Sequence, residues 1–326
     1  VWKGPGQGVI RFQFEGASHT GDIDYTIADS NEFAISRQHY PDVRSAFELK
    51  TDDALAWAFP NDRDDSLYSE AQAYLERQRT SGVLARTLEK YYGHTDRFDY
   101  VGTRRYLRHI TSRLPRYRDW FEEAGDMVGM DWRLLAAVGY QESHWNPRAV
   151  SPTGVRGLMM LTQATARQLG IPDRTEPRDS ILGGARYVRR VRNKIPDRIG
   201  EPDRTWLALA AYNVGFGHLE DARILAEING LNPDLWSDVR TQLPLLTKRQ
   251  WYSRVKHGYA RGWEPVHYVD NVRRYHDILT WALSYRNRSL DSADDTEEGS
   301  GDVPPVETPI EAPASTVPTI RTTAGG

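Results

Sequence analysis

The feature that most limits what this chain can fold into is a long, strictly helical stretch. From about Arg104 to Tyr285 the apolar residues recur at helical spacing, Pro and Gly punctuate them, and no strand alternation intervenes. Helices are expected near Arg104 to Ala124, Trp132 to Glu142, Leu161 to Leu169, Ser180 to Asn193 and Arg204 to Asn213, with more between Pro233 and Tyr285. Such a run buries its stripes by packing helix on helix, so residues 95–286 read as an all-α globule.

With 326 residues and 39% hydrophobic content, the chain has room for a second core. Upstream, GDIDYTIAD places Ile23, Tyr25 and Ile27 on one face of a short strand, and ALAWAF alternates Leu55, Trp57 and Phe59 in another. Asp29, Ser30 and Asn31 can cap a helical turn around NEFAISRQ. SLYSEAQAYLERQRTSG and VLARTLEKYY read as helices stopped at Gly82 and Gly93. Residues 1–94 are therefore expected to be a partial α/β domain, which makes the fold class a two-part α+β chain. From about Asn287 the composition turns to Pro, Ser, Thr and acid with few large apolar residues, so residues 287–326 are expected to be a disordered tail.

The net charge of -3, with acids interleaved among the arginines, gives no global field for nucleic acid, and none is expected as a partner. There is no cysteine, and His144, His218, His257, His267 and His276 show no ligand-like clustering. Neither a metal nor a cofactor is expected. No window approaches the ~18 consecutive apolar residues of a membrane helix. Val1 is not a start methionine, so the chain reads as a processed product or one whose targeting segment is missing.

One carboxylate stands out. Leu134, Leu135 and Val138 form the buried stripe of the helix that Asp131 is placed to cap, and Glu142 falls in its last turn. There the unpaired carbonyls and the negative end of the helix dipole disfavour another negative charge. Tyr140 and Trp145 add desolvation, so both effects raise the pKa and favour a protonated carboxyl, as a general acid requires. Downstream, Ser151 and the Gly154/Gly157 turn lead the chain back toward Glu142, and AAYNVGFG supplies Tyr212 and Asn213, side chains able to orient a carboxylate or bind a sugar amide. No second acid has an equally marked context: Asp131 caps its helix, and Glu264 precedes a proline on an expected loop.

These segments together resemble a known family. ESHWNPRAVSPTGVRGLMMLTQATA is similar to the first motif of the soluble-type lytic transglycosylase domain, ALAAYNVGFGHL to its second, and PVHYVDNVRRY to its closing Tyr-Val segment. The Gly-Leu-Met-Met-Leu version, with Met160 where most of the wider family has Gln, resembles the membrane-bound lytic murein transglycosylase F type. GDIDYTIADSNEFAISRQHYPDVRSAFEL and LAWAFP resemble the end of that subgroup's periplasmic solute-binding-protein-like domain.

The resemblance implies a lysozyme-like catalytic fold and cleavage of the β-1,4 bond between N-acetylmuramic acid and N-acetylglucosamine without water, giving 1,6-anhydro ends. Glu142 serves as acid and then base. Ser151 is expected at the N-acetyl group and Tyr268 near Glu142. Tyr212 and Asn213 complete the cleft, while Ser143, Met159 and the backbone near Gly157 shape it. Peptidoglycan strands and muropeptides are the implied partners, in the periplasm with peripheral outer-membrane association. A goose-type-lysozyme-like hydrolase and a non-catalytic glycan-binding module are the alternatives. QWYSRVKHGYARGW, aromatic and basic, reads as packing or a solvated face before glycan binding.

Overall fold

The computed structural model describes residues 28, 30–47, 57, 59–60, 64–94 and 99–297, with side-chain surroundings as far as Ser284. Three helices come first: α1 (Ser30–Ser36), α2 (Ser66–Thr80) and α3 (Val83–Tyr92). The body follows as α4 (Tyr100–Ser112), α5 (Arg118–Val128), α6 (Trp132–Ser143), α7 (Gln163–Gln168), α8 (Pro177–Arg192), α9 (Asp203–Val214), α10 (Phe216–Ile228), α11 (Trp236–Gln242), α12 (Arg249–Tyr252) and α13 (Trp263–Glu297). By its contacts the chain divides after Ser284, and the second unit, residues 285–326, contains the end of α13.

No strand occurs among the described residues, where an isolated antiparallel bridge joins Val150 to Arg156. Of residues 1–94 the described part is helical, and the described Trp57 and Phe59 lie outside any strand. The expected strand at Ile23, Tyr25 and Ile27 falls outside the described residues. Gly82, in the left-handed region at φ 71, ends α2 and starts α3 as expected.

At the centre is α6. Asp131 caps it, Oδ1 accepting from the Arg133 N–H at 2.9 Å, and every residue from Leu134 to Tyr140 is buried. A helix buried on all sides belongs inside the core rather than at its surface. Around it α5 packs on α6 and α8, α8 on α9, and α9 on α10. Four rings tie α6 to α4 and α13: Tyr106 lies 4.3 Å from Tyr140 and 4.7 Å from Tyr275, and Trp145 lies 4.7 Å from Tyr140. Offset aromatic packing of this kind stabilises beyond its area burial, by about 1 kcal/mol per pair.

Three boundaries differ from expectation. The single helix at Arg104 to Ala124 is two, α4 and α5, because Pro115 cannot donate to the helical ladder and a 3-10 turn, Leu114–Arg116, replaces it. Helix α10 falls between the helix expected at Arg204 to Asn213 and those expected from Pro233 on; Gly215 ends α9, at φ 91, and Gly217 sits inside α10. Helix α13 continues through residues 287–297, the expected start of the tail, where Leu, Ala and Glu favour a helix and the first proline is Pro304. Residues 298–326 lie outside the described residues.

Ion pairs cross the boundary expected at residue 94. Arg240 of α11 reaches Glu89 of α3 at 2.6 Å and Asp270 of α13 at 2.8 Å. Arg273 donates to the carbonyls of Glu89 and Lys90 in the last turn of α3, the first of which also accepts from the Gly93 N–H at 2.9 Å.

Candidate active site

A groove of about 710 Å³ opens beside the C-terminal end of α6. Its lining includes Glu142, His144, Asn146, the hairpin residues Val150 to Thr153, Met160, Asn213 and Glu264. Helix α6 stops here because His144 turns left-handed at φ 52, followed by Trp145 at φ 54. Trp145 folds back, and its indole N–H donates to the Ala136 carbonyl at 2.8 Å. The last turn of α6 is thereby held rigidly with Glu142 at the groove.

Glu142 is partly exposed, and burial of its carboxyl raises the pKa from the usual range to about 7. One hydrogen bond opposes this. The hydroxyl of Tyr268, a buried residue of α13, donates to Glu142 Oε1 at 2.7 Å. Burial wins, and the group is poised to hold or release a proton near neutrality.

The residues expected around Glu142 sort into three layers. Glu142, Ser143, Ser151 and Asn213 line the groove. The Ser151 hydroxyl accepts from the Val155 N–H at 3.0 Å and meets Thr153 Oγ1 at 3.0 Å, fixing the hairpin that forms one wall. Tyr268 and Tyr212 stand behind, their rings stacked with centroids 6.2 Å apart. Tyr212 donates to the Met159 carbonyl at 2.7 Å, so its hydroxyl braces the loop.

Ser143, Met159 and Gly157 act chiefly on the scaffold. The Ser143 hydroxyl is shared between the carbonyls of Leu158 at 2.8 Å and Gly139 at 3.1 Å, joining the Gly-Leu-Met loop to α6. Met159 is fully buried, with its N–H on Ser180 Oγ at 3.0 Å. Its thioether therefore packs in the core rather than facing a ligand. Gly157 has φ 97, and a Cβ there would lie 2.0 Å from the Arg174 carbonyl oxygen. Only glycine fits.

Glu264 and Met160 stand out among the groove residues outside the expected set. Glu264 is in the first turn of α13, not on a loop, and pairs with Arg261 at 3.0 Å while lining the groove. The signal was its place one helical turn before Tyr268. Met160 lines the groove in the left-handed region at φ 46, held by its N–H on the Gly157 carbonyl at 3.2 Å. A methionine rarely takes that conformation, which turns its side chain out of the buried path followed by Met159. Among the described residues no three His, Asp or Glu side chains are grouped to hold a metal ion, and no helix is long and apolar enough to cross a membrane.

Residues 119–227 match the family described as Transglycosylase SLT domain. The chain carries a transglycosylase SLT domain. This span includes Glu142, Ser151, Tyr212 and Asn213, while Tyr268 and Glu264 lie beyond it. Membrane-bound lytic murein transglycosylase F 1 of Alkalilimnicola ehrlichii is 52% identical over 297 residues, covering 91% of this chain and 59% of that protein. Membrane-bound lytic murein transglycosylase F of Marinobacter nauticus is 55% identical over 260 residues, 80% of this chain and 52% of that one. The chain spans between 52% and 59% of the length of these two relatives. Among solved structures, the 70 kDa soluble lytic transglycosylase of Escherichia coli aligns with a TM-score of 0.40 at 18% identity, over 84% of this chain and 46% of that one.

Proposed function

We propose that the SLT domain, with a lysozyme-like catalytic fold, is a peptidoglycan lytic transglycosylase centre with Glu142 as its single acid and base. The observation that carries this reading is the Glu142 carboxyl, raised to about 7 by burial and held at Oε1 by Tyr268. With Oε1 accepting from Tyr268, the proton of the acid form belongs on Oε2.

That proton passes to the oxygen of the β-1,4 bond between N-acetylmuramic acid and N-acetylglucosamine. As the bond breaks, the carbonyl oxygen of the substrate's own N-acetyl group attacks the anomeric carbon, the substrate-assisted route that needs no second carboxylate. Ionised Glu142 then takes the proton of the muramyl 6-hydroxyl, whose oxygen displaces the acetamido oxygen. A 1,6-anhydro end results, Glu142 regains its proton, and no water is consumed. Ser151 and Asn213, both on the groove, are assigned to the substrate, Ser151 at the N-acetyl group. Tyr212, Ser143, Met159 and Gly157 maintain the groove's shape.

Peptidoglycan and the names of the relatives support a periplasmic site with peripheral outer-membrane association. Residues 1–94 are assigned to the end of a solute-binding-protein-like domain on the resemblance of their sequence. A second reading, hydrolysis of the same bond, draws support from Glu264 as another carboxylate on the groove. Mass analysis of digested peptidoglycan separates the two, because anhydro ends are one water lighter than hydrolysed ones. Glu142→Gln is expected to lower turnover at least roughly a thousandfold, at the upper part of what a positioned acid and base contributes. Reducing ends from the native protein, or undiminished turnover in E142Q, would overturn the reading.

A further inference from the structure

Helix α4 exposes Arg105 and Arg108, and Arg113 stands at its C-terminal cap. Among the described residues no carboxylate pairs with any of the three, although Arg118, Arg178, Arg192 and Arg198 each have one. Arg113 donates to the carbonyl of His144 at 2.8 Å, and His144 lines the groove, so the basic face begins at the groove's rim. Arg148, exposed and likewise without a carboxylate partner, lies between the groove residues Asn146 and Ala149.

The positive field of this face is felt by both neighbouring histidines. His109 is lowered to about 4, first by burial and then by Arg113, His144, Arg105 and Arg108; His144 is lowered by burial, Arg105 and Arg113. Among the described residues two acids reach α4, and both are engaged at its other end: Asp99 accepts from the Gly102 N–H at 2.9 Å, and Asp42 pairs with Arg104 at 3.5 Å and accepts from the Tyr100 hydroxyl at 3.0 Å. The groove itself is lined by two carboxyl groups, Glu142 and Glu264, and, among the described residues, by no arginine or lysine. An anion attached to a bound ligand is therefore drawn to the rim, away from the reacting bond.

We propose that Arg105, Arg108 and Arg113, beside His144, form a subsite for the carboxylates of the peptide stem that a glycan strand carries. This rests on the transglycosylase reading and names the part of the substrate that reaches past the groove. Guanidinium groups match carboxylates in a fork geometry, and exposed charges of this kind act within about 10 Å and weaken with salt.

The test compares glycan strands bearing stems with strands whose stems an amidase has removed, using the native protein and Arg105→Glu/Arg108→Glu. Both side chains are exposed, and circular dichroism checks the fold of the variant. The expected result is a KM for stem-bearing strands raised about tenfold in the variant, the size of one lost charge-assisted hydrogen bond, with kcat kept and stripped strands unaffected. The native preference for stem-bearing strands should also shrink with added salt. An equal loss on both substrates, or no loss on either, overturns the subsite. So does a variant that keeps its KM but no longer sediments with vesicles of phosphatidylethanolamine and phosphatidylglycerol, which assigns the face to a membrane. If the native protein cleaves neither strand, the transglycosylase reading fails instead. Calorimetry with the amidase-released stem peptide then decides the subsite: binding lost in the variant supports it, and absence of binding to the native protein overturns it.

Discussion

The Tyr268 hydroxyl lies 2.7 Å from Oε1 of Glu142, a contact made across 126 positions of sequence. One residue comes from the first turns of α13 and the other from the last turn of α6. Because the tyrosine donates, it stabilises the ionised carboxylate, while burial stabilises the protonated acid and prevails. Tyr268→Phe removes the opposing bond and leaves burial alone, so the carboxyl should titrate above its present value of about 7. The kcat profile against pH is expected to move to alkaline pH, with activity kept to higher pH than in the native protein, because the cycle starts from the protonated form. A Y268F profile that coincides with the native one removes the tyrosine from this role.

The same carboxyl should cost stability. Its folded pKa, about 7, exceeds the ordinary 4.5, so the folded state binds more protons between these values and loses stability as pH rises through them. Glu142→Gln carries no such penalty. Denaturant titrations are expected to find E142Q more stable than the native protein by on the order of 2 kcal/mol at pH 8, and no more stable at pH 4. Equal differences at both pH values would mean that packing, not ionisation, separates the two proteins.

His276 is raised as well, but in favour of its charged form. Its Nε2 lies 3.1 Å from Asp131, the cap of α6, and its Nδ1 3.6 Å from Asp277, which also meets His94 at 2.6 Å. Burial opposes a charge on the imidazole, yet hydrogen bonds to Asp131 and Asp277 override it and raise the pKa from 6.5 to about 9. A histidine raised in this way stabilises fully below 6.5, and the contribution disappears as pH rises through 9. Native Tm should fall over that interval, and His276→Gln should flatten the decline. If H276Q falls as steeply, the charge on His276 contributes nothing measurable.

What could be read in advance follows from how local each signal is. Asp131 as a cap and the buried stripe of Leu134, Leu135 and Val138 are written in adjacent residues, and the structure has both, with burial extended to every residue from Leu134 to Tyr140. Glu142 could be singled out because helix end and aromatic neighbours are also local. Tyr268 beside it came only through a recognised motif, since no periodicity joins two helices that far apart. Side-chain pairs across the fold left no trace: the Glu89 to Arg240 bridge, the Ser143 bond to the Leu158 carbonyl, and the chain from His94 to Asp131. The role of a glycine is hidden where its context is tertiary. Gly217 is where α10 passes His257, and a Cβ there would lie 2.7 Å from that ring.

Two glycines of one loop allow close approach to be separated from backbone preference. Gly157 and Gly154 both have positive φ, at 97 and 78. A Cβ at Gly157 would strike the Arg174 carbonyl, whereas nothing lies within 4 Å of one at Gly154. Gly154→Ala should therefore cost only the left-handed penalty, about 1 kcal/mol. Gly157→Ala adds a backbone collision and should cost more than about 3 kcal/mol, with the Gly-Leu-Met loop displaced from α6 and activity lost alongside. Chemical denaturation of both variants checks the contrast, and similar losses would place the requirement in φ alone.

Glu264 decides how many acids the chemistry uses. It lines the groove with Glu142, but it is exposed and paired with Arg261 rather than held in a buried setting. An inverting hydrolase would need such a group to activate water on the far face of the sugar, and its loss would then be as severe as the loss of the acid. A single-acid centre needs nothing from it beyond contact with substrate. Glu264→Gln is therefore expected to lower kcat/KM by less than about tenfold, mostly through KM, and to leave the anhydro ends unchanged. The measurement is product mass together with steady-state rates. A loss matching that of E142Q, or a product mix that changes with the variant, would make Glu264 a second acid and return the site to hydrolysis.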